Sequence, residues 1–308
     1  MIYDMIIIGG GPGGLTAAIY GVRAGLSVLL FEMGMPGGLM SQTHEVENYP
    51  GFPDGIGGME LGDAMEKQAR RLGAEIHYTQ VKKVELQHEI KVIHTRKEQF
   101  QAKAVVIATG ATAQKLGAEN EDRLAGAGIS YCATCDGGFF KGKTVAVIGG
   151  GDTALGDASY LSKIAKKIYV IHRRDQFRAA KLVVDIALNN KNVEPIYNTI
   201  VEKFVGDDRL SALQIQNVKT KQVTELPVDG AFVMVGMKPT TELFAEELPL
   251  KDGYIVTDEY MKTAIDGVYA IGDVRYGAFR QIVTACANAA LAVEILREDL
   301  ARKKEKFA

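Results

Sequence analysis

Two cysteines and an aspartate near the middle of the chain have the spacing of a redox site. Cys132 and Cys135 are separated by two residues, and Asp136 follows at once. Cysteines at this spacing can close a small disulfide ring, and the first thiol of such a pair is usually the more acidic. Asp136 gives the pair its own proton carrier. The third cysteine, Cys286, is remote in sequence, so the pair is not part of a disulfide framework.

Structural zinc is the alternative use of the CxxC pair. A zinc site needs two further ligands, and the five histidines show no metal-like pairing with the motif. In an intracellular chain, CxxC near a βαβ pattern is more typical of redox chemistry than of metal binding. We therefore predict that the pair cycles between disulfide and dithiol and that the chain has no metal site.

Composition limits the class of protein. A chain of 308 residues suits two domains, and 47% apolar with 24% charged residues is typical of a soluble globular protein. A formal net charge of −2 argues against nucleic acid as the main partner. The N-terminus lacks the basic region of a signal peptide, and no apolar stretch reaches the roughly 20 residues that span a bilayer. These features predict a cytoplasmic protein with no membrane partner.

A first dinucleotide-binding fingerprint lies at the N-terminus. Residues 2–8 predict a buried strand, and a helix follows the glycine-rich loop as far as about Gly25. The loop supplies Gly9, Gly11, Pro12 and Gly14. Its glycines allow a tight turn and close approach of a pyrophosphate to the helix N-terminus. A second strand ends in Glu32, about 20 residues after Gly11, the distance at which an acidic residue binds the adenosine ribose.

A second fingerprint follows the CxxC motif. Its loop supplies Gly149, Gly151, Asp152, Thr153 and Ala154, the last in place of the third glycine. The position equivalent to Glu32 is His172, and Arg173, Arg174 and Arg178 follow it. Guanidinium groups bind a 2′-phosphate, whereas a carboxylate repels it. The second loop therefore predicts NADPH, and the first a cofactor without that phosphate. An ordinary solvated face is the alternative for the arginines.

Two later strands indicate which cofactor fills the first site. Residues 103–110 and 267–273 predict strands, and the second ends in Asp273 ahead of a helix that begins near Arg280. An acidic residue there can hold a polyol chain, and a helix N-terminus can stabilise negative charge on a reduced ring, a combination that fits FAD.

The order of these segments makes the first domain discontinuous. We predict an α/β fold with two Rossmann-like, doubly wound, three-layer domains. The FAD-binding domain comprises residues 1–112 and 242–308, and the NADPH-binding domain with the CxxC motif comprises residues 113–241. The stretches 81–96 and 199–226 are predicted to be inserted β-meanders.

With these motifs the chain resembles the low-molecular-weight, bacterial-type thioredoxin reductases from about residue 2 to residue 297. The resemblance is carried by GGGPGG at 9–14, ENYPGF at 47–52, CATCDG at 132–137, GGGDTA at 149–154, HRRDQFR at 172–178, GD at 272–273 and RQ at 280–281. It implies FAD in the discontinuous domain, with NADPH and the disulfide in the inserted one. It also implies thioredoxin as the substrate and a homodimer formed through the FAD domains.

The resemblance also implies roles for individual residues. Cys135 would be the thiol nearest the flavin, Cys132 the thiol that attacks the partner disulfide, and Asp136 the proton shuttle. The residues implied to contact the flavin, besides the first loop and Glu32, are Gly37, Gly38, Asn48, Asp273, Arg280, Gln281 and Ile282. Nicotinamide and disulfide both belong to the inserted domain, so we expect that domain to rotate about its two crossings.

Some positions leave partner recognition open. Residues 126–128 lack the basic residue that some relatives use against thioredoxin. Phe139 and Phe140 suit a docking patch and a core equally well. Cys286 lies among small apolar residues, which favours a buried spacer over a third redox thiol.

Three other functions share parts of the same pattern. Ferredoxin or flavodoxin could replace NADPH as the electron donor, the chemistry could run backwards as a dithiol oxidase, or the chain could be a non-catalytic cofactor-binding sensor. The intact second loop and its arginines argue against the first two. The intact Cys-Cys-Asp group argues against the sensor.

Overall fold

The computed structural model describes residues 1–43 and 45–306. Over these residues the chain forms two compact units, one of residues 1–112 with 238–306 and one of Ala113–Met237. The chain returns to the first unit at Lys238, four residues before the boundary expected from the sequence. The returning chain is already bonded to unit 1 before residue 242, because the Thr240 N–H donates to the Gly110 carbonyl (3.0 Å).

The first part of unit 1 is built on a mainly parallel sheet. Its elements are β1 (Ile2–Ile8), α1 (Pro12–Arg23), β2 (Val28–Glu32), a 3-10 helix (Gly38–Gln42), α2 (Gly58–Leu72), β3 (Glu75–Tyr78), β4 (Lys83–Glu85), β5 (Lys91–His94), β6 (Gln99–Ile107) and β7 (Ala111–Ala113). The strand order is β3-β2-β1-β6-β5-β4. Strands β4 and β5 pair antiparallel, as expected of a meander at 81–96.

Unit 2 repeats the βαβ arrangement. Its elements are α3 (Glu121–Leu124), β8 (Ile129–Ser130), α4 (Ala133–Asp136), a 3-10 helix (Gly137–Phe140), β9 (Thr144–Gly149), α5 (Asp152–Leu161), β10 (Lys167–Ile171), α6 (Lys181–Leu188), β11 (Val193–Ile196), β12 (Thr199–Val205), β13 (Ala212–Asn217), β14 (Val223–Pro227) and β15 (Gly230–Met234). A parallel sheet has the order β11-β10-β9-β15-β8, and β12-β13-β14 form a separate antiparallel sheet.

The last part of the chain completes unit 1. Its elements are β16 (Met237–Pro239), a 3-10 helix (Glu242–Phe244), β17 (Leu250–Lys251), β18 (Tyr254–Ile255), β19 (Val268–Ala270), a 3-10 helix (Gly272–Val274) and α7 (Ile282–Lys306). Strand β19 pairs parallel with β6, and α7 packs against α1. The return of this strand and helix makes unit 1 discontinuous in sequence.

The core of unit 1 lies on both faces of its sheet. Along β1, Met5 and Ile7 pack into one apolar cluster with residues of α1 and α7, while Ile6 and Ile8 pack into the cluster on the opposite face. Strands buried on both faces form continuous apolar runs, which explains why residues 2–8 are almost wholly apolar. Each fully buried aliphatic side chain contributes about 1.5–3 kcal/mol.

Parallel pairing brings the loops of unit 1 to one edge of the sheet. Ile8 lies beside Phe31 of β2 and Ile107 of β6, and Ala270 of β19 also lies beside Ile107. The segments after these strands therefore meet at the carboxyl edge, where parallel α/β sheets bind ligands.

The same holds for unit 2. Ile148 of β9 lies beside Ile171 of β10 and Val233 of β15, so the second glycine-rich loop and His172 share an edge. Among the described residues, no helix is both long enough and apolar enough to cross a membrane.

Candidate functional site

The CxxC motif forms a disulfide at the start of a short helix. Cys132 and Cys135 are bonded, with their Cα atoms 5.3 Å apart. Cys132 precedes α4, and its sulfur accepts a hydrogen bond from the Cys135 N–H (3.2 Å). Both cysteines are half-buried, so the disulfide is held by local structure and still has access to solvent.

Asp136 is connected to the disulfide through Ser130. The Ser130 hydroxyl donates to Asp136 Oδ2 (2.6 Å), and its oxygen accepts the Cys132 N–H (3.0 Å). Burial raises the pKa of Asp136, against the opposing effect of the Ser130 hydrogen bond. Asp136 therefore keeps its proton to a higher pH than an exposed aspartate, as a proton donor beside a thiolate must. Sequence reasoning missed Ser130, because a serine at a strand end has no distinctive pattern.

The first glycine-rich loop is tied to Glu32. The carboxylate of Glu32 accepts the N–H groups of Gly10 (2.6 Å) and Gly34 (2.7 Å). The Gly37 N–H donates to the Gly10 carbonyl (2.8 Å), and a Cβ on Gly38 would lie 3.3 Å from the Cα of Gly11. Gly37 and Gly38 both have positive φ, 94° and 57°, so glycine is favoured there. The glycine-rich loop and residues 37–38 therefore lie against each other through backbone atoms.

Asp273 and the segment before α7 lie at the same edge. Asn48 Nδ2 donates to Gln281 Oε1 (3.0 Å), which joins two residues that are remote in sequence. The Arg280 guanidinium donates to the Tyr254 hydroxyl (2.8 Å), and its Nε is buried without a partner among the described residues. Burial raises the pKa of Asp273, whereas the charge of Arg280 lowers it.

Two features of unit 1 fit a bound dinucleotide. Gly11 has an ordinary φ of −71°, and a Cβ added there would meet nothing within 4 Å, so neither backbone nor packing requires glycine. A ligand close to the backbone would require it. The buried, unpartnered Nε of Arg280 is a donor that a ligand can satisfy. Ile282 begins α7, as Pro12 begins α1.

Gly11 and Gly14 make a matched pair for testing this fit. Gly11→Ala should leave the free energy of unfolding of the cofactor-free protein within about 0.5 kcal/mol but sharply lower the flavin content of the purified protein. Gly14→Ala should prevent folding, because its Cβ would overlap the Gly9 carbonyl oxygen. Denaturant unfolding and the visible absorbance of the protein measure both. Full flavin content in Gly11→Ala would show that no ligand approaches this loop.

The second loop is covered by the HRRDQFR stretch. The Gly150 carbonyl accepts the N–H groups of Arg178 (2.7 Å) and Ala179 (3.1 Å), and Asp152 Oδ1 accepts that of Ala180 (2.8 Å). The His172 ring lies where a Cβ of Gly150 would be. This contact explains why residue 150 is a glycine, although the fingerprint requires glycine only at Gly149 and Gly151 on either side of it.

Arginines supply the positive charge at this loop. Arg173, Arg174 and Arg178 are exposed, and none has a carboxylate partner among the described residues. His172 is only 6% exposed, its Nε2 has no partner among those residues, and burial together with the three arginines lowers its pKa. The imidazole is therefore neutral at pH 7, and charge for binding a phosphate comes from the guanidinium groups.

Two other sequence expectations have structural outcomes. Phe140 is 9% exposed and packs edge-to-face on Phe232 (5.3 Å between ring centroids), and Phe139 packs partly buried against the same cluster. Both are core residues of unit 2. Cys286 has a free thiol and is half-buried, 3.8 Å from both the Pro12 carbonyl oxygen and the Tyr49 hydroxyl.

Asp157 on α5 was not anticipated from the sequence. It is half-buried, and burial raises its pKa from 3.8 to about 6. The folded state therefore holds a proton that the unfolded state releases between those values, and stability falls as the pH rises through that range. Asp157→Asn should raise the free energy of unfolding by about 1–2 kcal/mol at pH 7.5, and the gain should shrink towards zero near pH 4.

Urea unfolding at pH 7.5 and pH 4.5 measures this effect. Asp185→Asn is the control, since Asp185 lies on an exposed face, where it is ion-paired with Lys181 (2.8 Å). A gain for Asp157→Asn that is equal at both pH values would contradict the burial account.

Comparison with known proteins agrees with this geometry. Residues 3–289 match the family described as pyridine nucleotide-disulphide oxidoreductase. A thioredoxin reductase of Listeria innocua is 44% identical over 315 residues, with 99% of this chain and 98% of that protein covered. One of Streptomyces coelicolor is 45% identical, with coverages of 93% and 90%.

The chain belongs to the pyridine nucleotide-disulphide oxidoreductase family, among its thioredoxin reductases. The crystal structure of a thioredoxin reductase from Streptococcus pyogenes superimposes with a TM-score of 0.94 at 43% identity, covering 98% of this chain and 99% of that one. The predicted fold class, with its Rossmann-like domains, is thereby confirmed. Membership of the family makes this chain an oxidoreductase and implies a flavin and a nicotinamide cofactor.

Proposed function

We propose that this oxidoreductase transfers electrons from NADPH, through FAD and the Cys132–Cys135 disulfide, to oxidised thioredoxin. The observation that carries the proposal is the disulfide with its buried acid, built into the same unit as an arginine-flanked dinucleotide loop. Relatives named thioredoxin reductase, similar over nearly the whole chain, support the choice of substrate.

FAD is the flavin that unit 1 suits, because a dinucleotide loop and a ribose-binding carboxylate accompany the flavin-side residues. The residues that would hold it are Gly9, Gly11, Pro12, Gly14, Glu32, Gly37, Gly38, Asn48, Asp273, Arg280, Gln281 and Ile282. When bound, FAD would supply the two-electron chemistry that links a nicotinamide to a disulfide.

NADPH is the nicotinamide cofactor that unit 2 suits. The residues that would hold it are Gly149, Gly151, Asp152, Thr153, Ala154, His172, Arg173, Arg174 and Arg178. Three exposed guanidinium groups without carboxylate partners among the described residues suit a 2′-phosphate. A ferredoxin- or flavodoxin-linked enzyme has no use for this cluster.

The cysteines perform the exchange with the substrate. The Cys132 thiolate attacks one sulfur of the substrate disulfide, forming a mixed disulfide and releasing the other substrate sulfur as a thiolate. The Cys135 thiolate then attacks the Cys132 sulfur, which re-forms the Cys132–Cys135 disulfide and releases the second substrate sulfur. Asp136 donates a proton to a departing thiolate, and Ser130 keeps the carboxyl in place.

Asp136→Asn tests this assignment. An amide is nearly isosteric with the carboxyl but does not release a proton, so thioredoxin reduction should slow by about 10²-fold. NADPH-dependent bleaching of the flavin should change less than twofold. Stopped-flow traces separate the two steps, and Asp152→Asn, in the dinucleotide loop, is expected to show the reverse pattern. Equal slowing of both steps by Asp136→Asn would reject the proton role.

The proposal includes a homodimer formed through the FAD-binding unit, in the cytoplasm. Exposed apolar side chains on or near α7 support the dimer, including Phe279 (67%), Val283 (44%) and Leu291 (40%). Light scattering on the purified protein tests it, and a monomer at micromolar concentration would contradict it. A disulfide that cycles during turnover is consistent with the cytoplasm, where stable disulfides are rare.

A further inference from the structure

A cluster of lysines lies at the edge of unit 2 opposite the dinucleotide loop. Its members, here called the basic edge, are Lys141, Lys143, Lys163, Lys166, Lys167 and Lys191. They lie in the segments that lead into β9, β10 and β11, which are adjacent parallel strands. The amino ends of adjacent parallel strands meet at one edge, so the lysines converge although they span fifty residues.

Hydrogen bonds fix these segments against one another. The Gly142 N–H donates to the Ile164 carbonyl (3.0 Å), and the Lys166 N–H to the Lys143 carbonyl (2.8 Å). Asn192 Nδ2 donates to the carbonyls of Ser162 (2.9 Å) and Ala165 (3.0 Å). The segments that carry the lysines are therefore held together by hydrogen bonds and do not form independent loops.

The charge of the basic edge is largely uncompensated. Lys167 pairs with Glu194 (2.6 Å), and the Asp229 carboxylate accepts the Thr144 N–H (2.8 Å). Lys143 lies over the Phe140 ring, with its Nζ 5.6 Å from the centroid. The remaining four lysines are exposed and have no ion-pair partner among the described residues: Lys141, Lys163, Lys166 and Lys191. The chain carries a net charge of −2, so this is a local excess.

The basic edge adjoins the disulfide. Helix α4 continues directly into the 3-10 helix Gly137–Phe140, which leads to Lys141. A Cβ on Gly137 would lie 3.0 Å from the Leu161 side chain and 3.2 Å from that of Tyr160. Those two residues end α5, just before Lys163. The segment that carries the cysteines is thus packed on the segment that carries part of the cluster.

We propose that the basic edge is a docking surface for a protein with an acidic face beside its disulfide. The inference rests on the proposed function and identifies the partner chemistry that this function requires, an acidic thioredoxin. A positive surface next to the reactive disulfide raises the rate of encounter with a negative partner and orients its disulfide. A nucleic acid would gain nothing from a neighbouring disulfide, so an acidic protein is the occupant that the location favours.

Charge reversal tests the proposal in the flavin-loaded enzyme. The triple variant Lys141→Glu, Lys163→Glu, Lys166→Glu should lower kcat/KM for oxidised thioredoxin at least 10-fold at 20 mM NaCl, mainly through KM. The deficit should shrink towards 500 mM NaCl, because salt screens exposed charges. Turnover of hydroxyethyl disulfide, a small uncharged substrate, should be unchanged and shows that the variant is folded.

The matched control carries the same charge change on unit 1. Lys67→Glu, Lys82→Glu, Lys97→Glu alters three exposed lysines outside the basic edge and should leave kcat/KM for thioredoxin within twofold of wild type. If the charge-reversed triple fails to fold, the corresponding glutamine triple takes its place, with a smaller loss of the same kind.

Three results would overturn the docking surface. They are an unchanged kcat/KM in the basic-edge triple, an equal loss in the unit 1 control, and micromolar binding of duplex DNA that only the basic-edge triple loses. A wild-type enzyme that turns over hydroxyethyl disulfide but not thioredoxin would instead contradict the proposed function.

Discussion

Replacing Cys132 or Cys135 by serine is expected to reduce thioredoxin turnover to background, because serine forms no disulfide and an alcohol does not replace a thiolate in exchange. The two sulfurs already form one disulfide, so either substitution removes the electron-carrying bond. NADPH-dependent reduction of ferricyanide, which needs only the flavin, should persist in both variants. The two activities are measured side by side on the same purified protein.

Cys286→Ser is the matched control for these substitutions. Its thiol is free and half-buried in unit 1, close to the Pro12 carbonyl and the Tyr49 hydroxyl. Serine is smaller and keeps a hydrogen-bonding group, so thioredoxin turnover should stay within about twofold of wild type. Turnover retained in Cys132→Ser, or lost only in Cys286→Ser, would show that the electrons leave by a different route.

Replacing Arg173 and Arg174 by alanine is expected to raise KM for NADPH by 10- to 100-fold and to leave KM for NADH within twofold. The expectation follows from the loss of charge-assisted hydrogen bonds, which at this exposed site together contribute about 1.5–3 kcal/mol, to a phosphate that NADH lacks. Initial rates with either cofactor at saturating thioredoxin give the comparison.

Arg209→Ala is the control for general electrostatics, since Arg209 is exposed in the same unit on the β12–β13 connection. It should leave both KM values unchanged. An equal rise for NADPH and NADH in the Arg173, Arg174 variant would mean that these side chains do not bind the 2′-phosphate and belong to a solvated face.

The periodic parts of the fold were predictable from sequence. Glycine-rich loops that follow apolar strands have one common solution, a strand–turn–helix with its loop at the carboxyl edge, and both loops adopt it. Element ends were less predictable. The strand expected at 103–110 runs from Gln99 to Ile107, because its first residues pair with β5 rather than with β19.

Contacts between remote segments were not predictable. The Asn48–Gln281 hydrogen bond and the contact of His172 with Gly150 depend on how loops from different strands meet. Phe139 and Phe140 illustrate the same limit, since an aromatic pair beside a redox motif suits a docking patch and a core equally. Packing on Phe232 decided for the core. The basic edge was likewise invisible, because its lysines come from three separate connections.

The most direct test of the account is anaerobic NADPH oxidation by the flavin-loaded protein, with and without oxidised thioredoxin from the same source. We expect slow oxidation by the protein alone and sustained, thioredoxin-dependent oxidation with one dithiol formed per NADPH. Flavin bleaching by NADPH without thioredoxin-dependent turnover would contradict thioredoxin as the substrate. No bleaching at all would contradict NADPH as the donor, despite the arginines beside the second loop.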